Sequence, residues 1–273
     1  MSDSKKYNDI IKSWEVPAGL TEDQAWERIQ GRMASTQAET KVIPMRRWWV
    51  GVAAAAAVIS AIVLLWPSSV EKTLVATAKG EMRTVTLPDG STAILNGGSS
   101  LSFNNDWSEG RELSMEGQVF YQVKKGSAFT VHAPNGDVQV LGTSFDVASR
   151  ENYFHVKCET GKVKVTIEGD EEIITPGEEV FASNHQLEKK TFDNAVKSWR
   201  AGELQFNEER LSDVWMIIEN QFGVQITAPK SDTRHFNGTV STTNLTEALQ
   251  TVCLAMNLNF ELKGEHQVVI TQK

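Results

Sequence analysis

The side chains best suited to nucleophilic, acid–base or metal chemistry in this chain are two cysteines and five histidines among 273 residues. Their spacing supports none of those roles. Cys158 and Cys253 lie in segments that read below as different domains. A disulfide between them would suit an oxidising compartment, but nothing in the pattern brings their segments together. Cys253 also falls on the apolar stripe of a helix, where a free buried thiol is the expected state. His132, His155, His185, His235 and His266 are scattered singly, without the short spacings that metal ligands share. No Gly-x-Ser-x-Gly, His-Glu-x-x-His, phosphate-binding glycine loop or paired-carboxylate motif occurs. The run Asp170, Glu171, Glu172 reads as a solvated turn between strands. The expectation is a non-enzyme with no cofactor and no metal. Charge narrows the partners further: residues 1–47 carry eight Lys/Arg against seven Asp/Glu, and residues 71–273 nineteen against twenty-eight. An acidic surface repels phosphate, so direct binding of nucleic acid is not expected.

With no catalytic set to position, function must be read from the elements and their order. Residues 48–66, inside MRRWWVGVAAAAAVISAIVLLWP, carry no charge. As a helix rising ~1.5 Å per residue they would extend ~28 Å, against ~30 Å of bilayer hydrocarbon. Eight of them are Val, Ile or Leu, each favouring insertion by roughly 0.3–0.6 kcal/mol at a helix centre. Trp48, Trp49 and Trp66 stand at the edges, where indoles prefer the membrane interface. A cleaved signal peptide would begin at the N-terminus, and a buried soluble helix is usually shorter. The pattern therefore predicts one transmembrane helix within residues 46–69, with membrane lipid around it. Lys41, Arg46 and Arg47 precede it and Lys72 follows. The positive-inside rule then puts the N-terminus in the cytoplasm and the C-terminus in the periplasm, across the inner membrane.

Residues 1–45 are too few to bury a core. Tyr7, Ile10, Ile11 and Trp14 form one helical stripe, broken by Pro17 and Gly19. TEDQ, with Thr21 and Gln24, is a capping box that starts a second helix presenting Trp26, Ile29 and Met33. Acids and bases nearly balance here, which favours a partner-binding arm over a helix lying on a lipid surface.

From Lys72 to Leu187 the period becomes that of strands: VTL, TAIL, SLSF, FTVHA, DVQVL, SFDVAS, YFHVK and KVKVTI are separated by PDG, NGG, PNGD, TG and PGE turns. This predicts an all-β domain over 72–187, a sandwich or a short solenoid. LPDGSTAILNGGSSLSF, RELSMEGQVFYQV, AFTVHAPNGDVQVLGTSFDV, GKVKV and TPGEEV resemble, in order, the blocks of the FecR-type anti-sigma factor family. Its fold-marking residues here are Leu87, Pro88, Asp89, Gly90, Gly142, Thr143, Phe145, Pro176 and Gly177. Pro88, Asp89 and Gly90 make a tight turn, and Gly142 permits one before a new strand.

After a connector over 188–202, an internal repeat appears at an offset of 34: Leu211, Val214, Trp215, Ile218, Phe222, Val224 and Ile226 correspond to Leu245, Ala248, Leu249, Val252, Met256, Leu258 and Phe260. Each copy reads as an Asn-started amphipathic helix (Asn207, Asn244) followed by a strand. The expectation for 203–273 is an α+β module of two βαβ-type repeats with Leu204, Phe206, Leu211, Trp215, Leu245 and Leu249 in its core. The opening Trp199, Gly202, Leu204, Phe206 resembles the secretin/TonB short N-terminal-like module that follows the FecR domain in Bacteroidetes-type members.

The layout is thus a multidomain relay: a short α-helical cytoplasmic arm, one transmembrane helix, an exported all-β domain and an exported α+β module. The resemblance implies that the arm holds an extracytoplasmic-function sigma factor through Trp14, Leu20, Trp26 and Ile29. It also implies that the exported part senses the signalling domain of a TonB-dependent outer-membrane transducer. Release needs a conformational change or a protease cutting near the span, and the residues leave both open. The alternative is a membrane-tethered periplasmic β protein that binds carbohydrate or envelope components. Such a tether has no use for tryptophan-bearing helices in the arm.

Overall fold

The computed structural model describes residues 19, 21–34, 55–57, 59–60, 71–183, 186–193, 198–229 and 232–273. The chain divides into two units, residues 1–68 and 69–273. In the first, helix α1 (Glu22–Ala34) begins where the capping spacing predicts, the Ala25 N–H donating to the Thr21 carbonyl at 3.0 Å. Glu22 and Asp23 in its first turn and Arg32 in its last complement the helix dipole.

The expected membrane span is corrected here. Among the described residues no helix is long and apolar enough to cross a membrane. Within 46–69 only residues 55–57 and 59–60 are described, and they are helical; the rest of the expected span lies outside the described residues. A hydrocarbon core requires about 20 continuous apolar helical residues, and no such run is present among the described residues. The single-pass inner-membrane location, cytoplasmic N-terminus and periplasmic C-terminus are therefore not supported.

In the second unit thirteen strands form one continuous sheet: β1 (Lys72–Ala76), β2 (Arg83–Thr86), β3 (Thr92–Leu95), β4 (Ser100–Asn104), β5 (Arg111–Gln122), β6 (Phe129–Ala133), β7 (Gly136–Val140), β8 (Ser144–Arg150), β9 (Tyr153–Thr160), β10 (Val163–Ile167), β11 (Asp170–Ile174), β12 (Glu178–Ser183) and β13 (Gln186–Thr191). Its main path runs β11-β10-β7-β6-β5-β8-β9-β12-β13. This corrects the expected sandwich or solenoid. The reason is β5, long enough to serve two neighbourhoods. Its first half pairs with β4 and β6, its second half with β3 and β8. Gly117, at φ 99°, marks the change, and a Cβ there would lie 2.4 Å from Ser99 Oγ.

The two ends of the path approach each other. The Leu187 N–H of β13 donates to Asp170 Oδ2 of β11 at 3.0 Å, and Lys189 Nζ donates to the Ile173 carbonyl at 2.7 Å. Side chains thus nearly close a barrel and cover edges that would otherwise invite foreign strands. Alternating side chains fill the interior, with Leu95, Leu101, Val119, Tyr121, Phe129 and Phe145 fully buried.

The C-terminal module contains β14 (Glu203–Arg210), α2 (Leu211–Phe222), β15 (Gln225–Thr227), β16 (His235–Ser241), α3 (Leu245–Ala255), β17 (Leu258–Leu262) and β18 (Gln267–Gln272). β14 pairs antiparallel with β16, while β18 lies between β15 and β17. The strands flanking each helix therefore sit in different sheets, and the two copies are not βαβ units. β14 runs into α2 without a loop, leaving no crossover connection of the kind a parallel pair needs. For the same reason Asn207 does not start α2; Arg210 precedes it without a side-chain cap, whereas Asn244 accepts from the Glu247 N–H at 3.2 Å.

Candidate functional site

The arm's described part is α1. Trp26, Ile29 and Met33 share one face and are 62%, 46% and 64% exposed. A 13-residue helix is marginal alone in water, so its stability depends on what this apolar face packs against. Trp14 and Leu20 lie outside the described residues.

The larger site is the joint between the β domain and the C-terminal module. The last turn of α2 is received by backbone. The Gly80 N–H donates to the Asn220 carbonyl at 2.8 Å. A Cβ on Gly97 would stand 2.0 Å from that carbonyl oxygen, and one on Gly223 would stand 2.9 Å from the Lys79 carbonyl. Asn96 Nδ2 donates to Gln221 Oε1 at 3.1 Å, and Lys79 faces Glu219 at 3.8 Å. Residues 198–202, read from sequence as connector, are part of this joint. Trp199 is buried in a 3-10 turn (Trp199–Ala201) and donates Nε1–H to Asp146 Oδ2 at 2.7 Å, while Gln118 Nε2 donates to Asp146 Oδ1 at 2.9 Å. Arg200 stacks 3.4 Å over the Phe120 ring and pairs with Glu159. Phe120, from β5, belongs to the core of the C-terminal module.

A cavity of about 200 Å³ lies in this joint. Burial raises the Asp146 carboxyl above its ordinary value despite its two donors. Beside it, His155 Nε2 lies 3.0 Å from Glu179 Oε2, and Tyr153 Oη lies 3.2 Å from His155 Nδ1. Burial lowers the imidazole to about 4, so it is neutral at pH 7, donating from Nε2 and accepting at Nδ1. Burial opposes the charge on Glu179, but His155 and Lys157, the latter at 3.3 Å, hold it at about 2. Cys158 and Cys253 are buried and unpaired, and burial raises both thiols to about 11. Neither thiol is an activated nucleophile. Among the described residues no three His, Cys, Asp or Glu side chains could hold a metal ion.

Residues 73–164 match the family model FecR protein, and residues 203–270 match FecR, C-terminal. The chain belongs to the FecR-type anti-sigma factor family. Two crystal structures of a candidate anti-sigma factor from Parabacteroides distasonis are similar to it, with TM-scores of 0.70 and 0.69 and identities of 25% and 26%. Each covers 74% of this chain, and they are covered to 100% and 99% of their own lengths. No curated protein matches the sequence.

The family's marker residues serve the scaffold. Asp89 accepts from the Ser91 N–H at 2.8 Å and from Arg111 Nη1 at 2.9 Å. Burial opposes its charge, but these donors hold the carboxyl below its ordinary value. Leu87, Thr143 and Phe145 are buried, while Pro88 and Pro176 face solvent beside Gly90 and Gly177, both at positive φ. Gly142 is needed for space, since its Cβ would lie 2.7 Å from Lys125 Cα. Leu204, Phe206, Leu211, Trp215 and Leu249 are buried in the second core and Leu245 is partly buried against it. Sequence reasoning missed the NGG cradle, Asp146 and Arg111. A charged residue at an inward position of a strand, such as Asp146 in SFDV, was the available signal for a buried partner.

Proposed function

We propose that this chain is an anti-sigma factor that sequesters an extracytoplasmic-function sigma factor through its N-terminal arm, residues 1–45. The observation that carries this reading is the exposed Trp26–Ile29–Met33 face of α1. Trp14 and Leu20 would extend the same contact. Large apolar side chains on an amphipathic helix are the anchors of helix-in-groove recognition. Membership of the family supports the assignment.

On the receiving side, the proposal is that residues 71–273 meet the signalling domain of a TonB-dependent transducer. The joint built around Asn220 and Trp199 would then carry the change from the C-terminal module (203–273) to the β domain (72–187). Support comes from the two-stranded β14–β16 sheet, a form that accepts an added strand readily.

The test is affinity of the full chain for each extracytoplasmic-function sigma factor of its own genome. Trp26→Ala combined with Ile29→Ala should weaken the cognate pair at least ~100-fold, since interface anchors each contribute about 2 kcal/mol or more. Unchanged affinity in the double variant would sink the assignment of the arm.

A further inference from the structure

A second cleft, about 1020 Å³, opens beside the joint, between the β6–β7 turn, the β10–β11 turn and the end of β14. Its walls carry six carboxylates, those of Asp137, Glu168, Glu188, Glu208, Glu209 and Asp213, against the cations of Lys190 and Arg210 and the imidazole of His235 from β16. Asp137 pairs with His132 at 2.9 Å and Asp213 with Arg210 at 2.8 Å. Glu209 is different. It is only 8% exposed, yet among the described residues its carboxylate accepts no hydrogen bond and forms no ion pair. It lines both this cleft and the 200 Å³ cavity. The backbone puts it there: β14 bulges between Phe206 and Glu209, and Glu208 sits at φ 53°. Non-glycine residues hold that conformation mainly where the surroundings impose it, and bulges commonly re-aim a side chain beside a site.

We infer that this cleft binds an arginine or lysine side chain presented by a protein partner, with Glu209 as its buried counter-ion. The nearby lysines are not that counter-ion. Lys157 pairs with Glu179 at 3.3 Å and Lys190 lies over the Phe181 ring at 5.1 Å. A metal ion is a poor fit, because no three-ligand group exists among the described residues and hard divalent ions take several oxygen ligands. An organic cation asks for one good carboxylate, further negative charge around it and aromatic walls; Phe154, Tyr153 and Phe181 line the cleft. The size of the cleft favours a stretch of peptide over a single small ion. The Glu209 side chain is almost wholly buried while its carboxylate, which no group among the described residues pairs, stays open to the cleft and to an incoming cation.

The charge state adds a signature. Burial, with Asp213 of α2 and Glu179 of β12, raises Glu209 to about 7, while Lys157 of β9 and Lys190 of β13 pull the other way. His155 of β9, at about 4, stays neutral across this range. A cation seated on Glu209 favours its ionised form, so binding near neutral pH must expel a proton.

The inference uses no residue of α1 and stands or falls separately from the sigma-factor reading. The probe is an acetylated, amidated hexapeptide with two arginines, titrated calorimetrically into the full chain at low ionic strength. Binding should tighten between pH 6 and pH 8 with proton release. Glu209→Gln should weaken it at least ~10-fold and abolish the pH dependence, whereas Asp137→Asn, at an exposed paired carboxylate, should change it less than ~3-fold. No binding at pH 8, or equal binding by Glu209→Gln, overturns the site. Spermidine binding as tightly as the peptide would assign the cleft to a free polyamine and overturn the protein partner.

Discussion

Glu209 should make the protein less stable as pH rises through neutrality. Its ordinary value is 4.5 and it titrates at about 7 in the fold, burial being the first cause. Below 4.5 both the folded and the unfolded chain hold the proton, and the group has no effect. Between 4.5 and 7 the unfolded chain ionises while the folded one retains its proton, so each pH step favours unfolding. Above 7 the penalty is complete. At about 1.4 kcal/mol per pH unit it reaches about 3 kcal/mol; the carboxylate borders two cavities open to solvent, and screening there reduces it to about 1–3 kcal/mol. That is a sizeable share of the roughly 5–15 kcal/mol of a typical domain. Glu209→Gln is neutral at every pH and removes the part of the pH dependence that Glu209 sets. Urea unfolding of both proteins should give equal stabilities at pH 4.5 and a Glu209→Gln advantage of about 1–3 kcal/mol at pH 8. An advantage of the same size at both pH values would show that the substitution acts through packing, and the electrostatic argument would fail.

Two further outcomes follow from the joint. Gly97→Ala places a methyl 2.0 Å from the Asn220 carbonyl and should cost about 2–4 kcal/mol in urea unfolding through overpacking and loss of the Gly80–Asn220 bond; Gly110→Ala, whose nearest neighbour is 3.8 Å away, should cost less than ~0.5 kcal/mol. Equal effects would refute the cradle. Trp199→Phe removes the donor to Asp146 at 2.7 Å and should cost about 1–3 kcal/mol. In a double-mutant cycle with Asp146→Ala, which removes the acceptor, the two changes should couple, and simple additivity would show that the bond contributes nothing.

What the sequence revealed was local. The LPDGS turn was readable because Pro88, Asp89 and Gly90 carry their own conformational rules and Asp89 caps Ser91 two residues on. The burial of Trp215 and Leu249 was readable from helical period and repeat. What stayed hidden depends on distant pairing. Nothing in RELSMEGQVFYQ says that its two halves have different neighbours. NGG reads as a turn, although Gly97 is required by Asn220, far along the chain. Asp146 and Trp199 advertise no relation, yet each satisfies the other. The uncharged run at 48–66 met the compositional criteria for a span without a membrane-long helix among the described residues.

The cradle at Gly80 and Gly97 has a consequence for how the protein meets changing ionic strength. Its inner contacts are amide to carbonyl and glycine against backbone, with the partly buried Arg150 guanidinium donating to the Gly97 carbonyl at 2.7 Å, and counter-ions reach these groups poorly. Around them stand the ion pairs Lys79–Glu219 and Arg200–Glu159, both reachable by counter-ions. Concentrated salt would loosen that outer ring and leave the sheltered centre intact. The β domain and the C-terminal module should therefore keep their docked arrangement from dilute to saline media, with only the stiffness of the connection varying.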